Sequence, residues 1–377
     1  MENGKIKIAL VGLGFGGSFV EIYKSHPMVY ETVVFDPDRE KEKRFVDNIG
    51  VKAPYSDFNA ILSDKTVDAV HLVTPILLHA EQSVAVLNSG KHCACTVPMG
   101  VTLDELRAIV EAKRKSGKNY MFMETTLYTY QYLYVKKMIA SGELGRIQFM
   151  RGSHYQDMEN WPTYWNGLPP MHYGTHAIGP MVGLSGSRIA RVHAFGSGTM
   201  RDELVRTYGN PFPVETAIFA FENGLKGEAT RSLFETARAY QEGMFVYGSK
   251  KSFEWGFKDG SDPYITTLIP RSDRRGGDCA VEVVKMPNDY SDLPEELWRF
   301  TVGGNYDPLR PQESLKMGAG AGHHGSHPHL VNEFVMSIIE ERKPLIDEQL
   351  GANITAAGIC AHISAMRDGE LVNVPNF

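Results

Sequence analysis

His172-Tyr173-Gly-Thr-His176 places two imidazoles and a phenol in one short stretch of the chain. Imidazole titrates near neutrality, so a histidine here could take or return the proton of an alcohol; a hydrogen-bonded structural role is the alternative for each. Upstream, His154-Tyr155-Gln-Asp157 is followed by Trp161, Tyr164 and Trp165. Aromatic faces beside hydrogen-bonding groups suit a sugar, whose C–H faces stack and whose hydroxyls bond; a loop pinned in a core by its aromatics reads the same way. Near the end of the chain, His323, His324, His327 and His329 fall within seven residues. Such a cluster could ligate a metal, but no Asp, Glu or Cys sits among them and Pro328 constrains the backbone, so a substrate-binding loop is preferred and no metal is expected.

A different chemistry stands at the start. Gly12-Leu13-Gly14-Phe15-Gly16-Gly17 follows an apolar run, Lys5 to Val11, and opens a helical pattern. Gly12 would allow a tight turn, Gly14 the approach of a pyrophosphate, and Gly17 close packing of helix on strand. The free N–H groups at the helix start would face the anion. Asp36, nineteen residues after Gly17, ends the next strand pattern. A carboxylate there can accept bonds from both adenosine ribose hydroxyls and would repel a 2′-phosphate, so the expected cofactor is NAD rather than NADP.

These groups need elements to hold them. In the first third, apolar strand patterns at Lys5 to Val11, Thr32 to Phe35, Val67 to Thr74, His92 to Cys95 and Asn119 to Met123 alternate with helical ones, including a helix from about Leu78 to Asn88. Thr102-Leu-Asp-Glu105 is a capping box for another helix, ending near Gly117. This alternation predicts an α/β Rossmann domain, a doubly wound parallel sheet, over residues 1–124. Residues 125–377 read as a C-terminal α+β domain with a large, mainly antiparallel open sheet. Its period-two segments are Ile147 to Tyr155, Ala190 to Phe195, Glu215 to Phe221, Gly227 to Phe234 and Met244 to Tyr247. Residues 257–320, polar and rich in Gly, Pro and Asp, are expected to form long loops over that sheet. Two helices, about His329 to Glu341 and Gln349 to Arg367, close the chain.

Composition excludes several classes. A net charge of −6 over 377 residues, with no long Lys/Arg run, argues against nucleic acid and against an anionic membrane surface. No apolar run approaches the ~20 residues of a membrane span. MENGKIK runs directly into a strand without a secretory pattern, so a cytoplasmic setting is expected. Cys93 and Cys95, alternate positions of one apolar strand, read as buried thiols rather than a metal pair.

Several segments together resemble the Gfo/Idh/MocA family of NAD(P)-dependent sugar oxidoreductases. Val73-Thr74-Pro75 with His79 is similar to the family's ATP…H. Gly90-Lys-His-Cys-Ala-Cys-Thr96-Val97-Pro98 resembles its GKHVLCEKP. Ser141-Gly-Glu-Leu-Gly145 is similar to its usual passage from helix to strand, and His172-Tyr173-Gly174-Thr175-His176 to its DxGxH. The resemblance implies that Thr74, Pro75, His79, Thr96, Val97 and Pro98 join the cofactor site. It also implies that His176 is the first choice of base, with His172 and Tyr173 relaying or binding. Tyr128, His154, Tyr155, Asp157, Trp161, Trp165, His323 and His324 form the candidate substrate set. Family members pair through the open face of the antiparallel sheet, which implies a homodimer or homotetramer.

Two positions depart from the family pattern. Its Glu-Lys-Pro is Thr96-Val97-Pro98 here, and the lysine, which handles the substrate's hydroxyl proton, is a valine. His172 replaces its Asp. A lysine-less motif ending Val-Pro also occurs in the family's NAD-dependent glycoside hydrolases. Their Thr-His-x-x-Gly-Pro resembles Thr175-His176-Ala-Ile-Gly179-Pro180, and their Gly-His-Gly-Gly resembles Gly322-His323-His324-Gly325.

Three readings follow. The first is NAD-dependent oxidation of a ring hydroxyl, with C3 the expected carbon, of a sugar or glycoside. The second is a glycoside hydrolase that oxidises C3 transiently, loses the C2 proton, eliminates the aglycone, adds water and is re-reduced; such enzymes stand outside the two-carboxylate scheme. The third is a non-catalytic NAD-binding sensor.

Overall fold

The computed structural model describes residues 1–290, 292–302, 307–311 and 322–377. Contacts divide the chain into two units. The first is 1–129 with 288–352 and 377; the second is 130–287 with 353–376. The split expected at residue 124 differs from this division: the chain passes to the second unit after Thr129, and the stretch beginning at Asn288 returns to the first.

In the first unit the chain runs β1 (Ile6–Val11), α1 (Gly17–Ser25), β2 (Val29–Phe35), α2 (Arg39–Ile49), α3 (Phe58–Ser63), β3 (Ala69–Leu72), α4 (His79–Asn88), β4 (His92–Cys95), α5 (Leu103–Ser116) and β5 (Tyr120–Phe122). The strands are parallel, in the order β2-β1-β3-β4-β5. All six residues of β1 are buried, as a parallel strand covered on both faces requires. Start signals are written in the sequence: Asp38 and Asp57 cap α2 and α3, and Thr102 with Glu105 closes the predicted capping box on α5. The order reverses beside β1, so the loops leaving β1, β3 and β4 share the carboxyl edge where α/β sheets bind ligands. The helix Gly322–Ile339 also belongs to this unit; His323, His324 and Gly325 have left-handed backbone at its start.

The second unit contains α6 (Tyr130–Ala140), β6 (Ile147–Tyr155), α7 (Thr175–Ser185), β7 (Ile189–Ser197), α8 (Asp202–Tyr208), β8 (Val214–Phe221), β9 (Lys226–Ser232), β10 (Gln241–Gly248), β11 (Lys251–Glu254), β12 (Tyr264–Ile269), β13 (Asp278–Val283) and β14 (Val372–Asn373). Its strand order is β13-β12-β11-β10-β6-β9-β8-β7-β14, antiparallel apart from β6 with β9. The long loops expected over residues 257–320 are corrected over 264–283, and residues 291, 303–306 and 312–320 of that stretch lie outside the described residues. β12 and β13 extend the sheet at its edge, because Tyr264 to Ile269 and Asp278 to Val283 pair through six residues each. Helix α7 packs on β6, β9 and β10. Its close approach needs Gly152 of β6, where an added Cβ would lie 1.9 Å from the Ala177 carbonyl oxygen. The other face leaves Ile218, Val281 and Val283 exposed.

Candidate active site

At the carboxyl edge of the first unit, β1 ends in Gly12 with φ +92°, and an added Cβ there would stand 2.3 Å from the Val73 carbonyl oxygen. Only glycine suits both the backbone and the clearance. The role expected of Gly17 falls instead to Gly16, whose Cβ would meet the Gly12 oxygen at 2.0 Å and Leu10 at 3.1 Å. Gly17 makes room for Phe45 of α2. A Cβ on Gly14 would meet nothing within 4 Å, so the chain itself does not demand glycine there, and the space fits an approaching pyrophosphate.

Asp36 is buried at the end of β2. Its Oδ2 accepts from the Leu13 amide at 2.8 Å and from Lys41 Nζ at 3.1 Å, and its Oδ1 accepts from the Asp38 amide at 2.9 Å. It therefore fixes the glycine loop as well as offering a carboxylate at the ribose position. Thr74 Oγ1 donates to Gln82 at 2.6 Å, and Thr96 Oγ1 donates to the Leu72 carbonyl at 3.2 Å. His79 lies between two carbonyl oxygens, Pro98 at 2.7 Å from Nδ1 and Thr74 at 2.9 Å from Nε2. It ties the loop after β3 to the loop after β4. Pro75 precedes the turn that leads into α4, and Val97 is buried. These residues fit a dinucleotide: a glycine turn, an open Gly14, a carboxylate after β2 and two loops locked together.

Phe15 leaves the glycine loop half exposed. Its ring stands 5.5 Å from that of His323 and 5.4 Å from that of His327. His323, expected among the substrate groups, is thus placed against the cofactor loop. Tyr128 stacks on His329 at 5.9 Å within the same unit. His324 is half-buried with φ +53°.

The second unit gathers its own cluster of polar and aromatic side chains. His176 is the second residue of α7 and is buried. Its ring lies 5.0 Å from that of His154 and 5.5 Å from that of Tyr173, and one of its nitrogens lies within 4.8 Å of a Glu242 carboxylate oxygen. Trp165 meets Tyr173 edge-on at 4.9 Å, and Trp161 and Tyr164 pack on Trp165. The aromatic stretch is therefore both an anchored loop and a wall beside the histidines. Trp161 remains exposed, as does Asp157, which accepts from the Glu159 amide at 2.9 Å. Tyr155 lies under the Arg238 guanidinium at 5.1 Å. His172 points elsewhere: its ring contacts His362 at 5.1 Å, and burial, with the His362 imidazole, pushes it down to about 3. It is neutral at physiological pH.

Sequence reading missed Arg231, Tyr240 and Glu242. Arg231 is fully buried. Its Nε donates to the Tyr173 carbonyl at 2.9 Å, Nη1 to those of His154 and Ser232 at 3.1 and 2.7 Å, and Nη2 to Gln156 at 3.0 Å. Burial pulls the guanidinium down to about 10. Tyr240 donates its hydroxyl to Glu242 at 2.5 Å; burial and that carboxylate hold the phenol well above its usual value. The signals were present. Arg231 shares the inward parity of β9 with Gly227 and Ala229, and Glu242 shares that of β10 with Met244 and Val246.

Residues 6–124 match the model of an oxidoreductase family with an NAD-binding Rossmann fold, and residues 132–254 match a GFO/IDH/MocA C-terminal domain. The chain belongs to the Gfo/Idh/MocA oxidoreductase family. Its similar relatives include the glycosyl hydrolase family 109 protein 1 of Phocaeicola vulgatus, 28% identical over 194 residues, 46% of this chain and 41% of that protein. The glycosyl hydrolase family 109 protein of Saccharopolyspora erythraea is 26% identical over 61% of this chain and 55% of its own length. An inositol 2-dehydrogenase of Salmonella paratyphi B is 30% identical over 40% and 46%. The chain thus spans about half the length of the relatives it matches. Among solved structures, levoglucosan dehydrogenase in complex with NADH and levoglucosan has a TM-score of 0.77 at 21% identity, covering 99% of this chain and 100% of that one. The myo-inositol 2-dehydrogenase of Lactobacillus plantarum has a TM-score of 0.73 at 17% identity, covering 98% and 100%. At such identities these structures establish the Gfo/Idh/MocA fold. No helix among the described residues is long and apolar enough to cross a membrane.

Proposed function

We propose that this protein carries out NAD-dependent redox chemistry at a ring hydroxyl, C3 being the expected carbon, of a sugar or glycoside. The first unit would hold the dinucleotide and the second the sugar. The observation that carries this reading is the cluster of buried His154, His176 and Glu242 with half-buried Tyr173, walled by Trp165. When bound, the nicotinamide supplies an acceptor for hydride. As the carbon-bound hydrogen leaves the CH–OH group with its electron pair, His176 takes the hydroxyl proton, and a ketone remains. Trp161 offers an exposed face for stacking. The inositol and levoglucosan dehydrogenases named among the similar proteins support this reading.

A second reading has its own support. Val97 removes the motif lysine, and the glycosyl hydrolase family 109 relatives match about half their lengths. In that reading the C3 ketone acidifies the C2 proton, the aglycone leaves by elimination, water adds, and the ketone is reduced again.

A panel of free sugars and aryl glycosides with NAD⁺, read for NADH and for aryl release together, tests both. NADH with the glycoside intact supports the oxidoreductase. Aryl release that requires NAD⁺ without NADH accumulating supports the hydrolase. Neither signal, with NADH binding retained, would leave the sensor. The exposed Ile218, Val281 and Val283 support a homodimer or homotetramer through the sheet, which sedimentation of the purified protein would test.

A further inference from the structure

Valine 97 leaves the proton of the substrate hydroxyl without the amine that the family resemblance assigns to it. The second unit holds a carboxylate that sequence reading did not see. Glu242, the second residue of β10, pairs directly with His154 of β6, which pairs in turn with Arg231 of β9. Directly paired residues point to one face, here the face covered by α7, so the three side chains stand in one row beneath His176. Glu242 is buried, and the Tyr240 hydroxyl donates to it. A carboxylate is costly to bury away from water unless charge partners or function hold it there, and such groups gather at working sites. Among the described residues of the second unit, His154 on β6, Arg231 on β9, Tyr173 before α7 and Tyr240 before β10 stand around Glu242 and His176.

We propose that Glu242 is the positioning residue of His176. Its carboxylate orients the imidazole and stabilises the imidazolium formed when the substrate O–H bond breaks and the proton moves to the ring. The pair thereby performs the task left vacant at Val97. Arg231 and the Tyr240 hydroxyl stand beside Glu242 as its cationic neighbour and its hydrogen-bond donor. This inference rests on the reading of His176 as the base.

The test has two arms on the full-length protein. In the first, the His176 ring is followed by NMR against pH without cofactor or sugar, its signal assigned with His176→Gln. An opposite charge favours the imidazolium, so Glu242→Gln moves the midpoint down by about one unit or more, and Glu242→Asp restores most of it. An unchanged midpoint in a folded Glu242→Gln protein overturns the proposal, and Glu242→Ala is read in its place if that variant does not fold. In the second arm, with any substrate that wild type turns over, Glu242→Gln lowers kcat about 100-fold with KM little changed. It also moves the acid limb of the kcat profile to lower pH, because a weaker base is freed of its proton earlier. A structural role would leave that limb in place. If wild type turns over nothing on the panel, the proposed function falls, while the NMR arm still decides whether Glu242 governs His176.

Discussion

Glu242 stands directly opposite His154 in the antiparallel pairing of β6 and β10, and both side chains are buried. The row continues from His154 to Arg231 on β9 and from Arg231 to Glu215 on β8. Glu215 is itself occupied: it receives the Met171 amide at 2.7 Å and holds His362 at 2.6 Å. Four adjacent strands thus each place a titratable or charged group on the same line under α7. A single unpaired member in such a line would cost several kcal/mol, so the arrangement stands only as a set.

His154 is central in that row and borders His176. His154→Gln keeps polar capacity but cannot titrate. It should lower kcat about 10- to 100-fold while leaving the melting temperature within a few degrees. Steady-state kinetics beside thermal melting checks this; a large loss of stability with normal turnover per folded molecule would contradict it.

Arg231 joins four acceptors on three stretches of chain. Arg231→Met leaves carbonyls of Tyr173, His154 and Ser232 without their donors and should cost about 3–5 kcal/mol in urea unfolding. Arg231→Lys should recover only part of this, since an ammonium cannot reproduce the planar fork.

His79 offers two ring nitrogens to two carbonyl oxygens, and a neutral imidazole has one N–H to give. Burial opposes the charge, but the Cys95 sulfur and the two carbonyls outweigh it and hold the group up at about 9. The folded value lies above the free value of 6.5, so its stabilising contribution is complete below about 6.5 and disappears as pH rises through about 9. The melting temperature of wild type should fall across that window, and His79→Gln should flatten the fall. A parallel decline in both proteins would refute the assignment.

Asp36 binds Lys41 and the Leu13 amide at once. Asp36→Ser removes the repulsion toward a 2′-phosphate and frees the Lys41 ammonium beside it. Fluorescence titration should show NADH affinity falling about 10-fold and the NADPH/NADH affinity ratio rising by at least as much. A ratio that stays fixed would place the adenosine ribose elsewhere.

Much of the first unit was legible because its rules are local. The strand His92–Cys95 and the helix opening at Thr102 were readable to the residue, since parallel strands are uniformly apolar and capping boxes are short. Helix α2 was not, because Arg39–Ile49 is mostly charged and buries only Glu42, Phe45 and Ile49. In the second unit, β10 begins at Gln241 rather than Met244. Those three residues decide the site. Gln241 and Glu242 look like solvent-facing turn residues until the pairing with β6 sets them inside. His176 was found through a motif, whereas the parity of β9 and β10 marks Arg231 and Glu242 only as inward-facing, and the pairings that bring them together join segments about 80 residues apart in sequence. His172 shared the motif but turns toward His362, because adjacent positions in a tight turn face different ways.

The row beneath α7 that follows Glu215, Arg231, His154 and Glu242 consists of Ala217, Ala229, Gly152 and Met244. Gly152 is where the Ala177 carbonyl comes down onto the sheet, one residue after His176. How closely α7 lies over the sheet row that carries Glu242 is therefore set by a missing methyl group at 152. A larger residue at 152 would act as a shim under the helix, lifting His176 away from Glu242 without replacing either side chain. Variation at this one position would change the spacing of the proposed acid–base pair while leaving both of its members in the sequence.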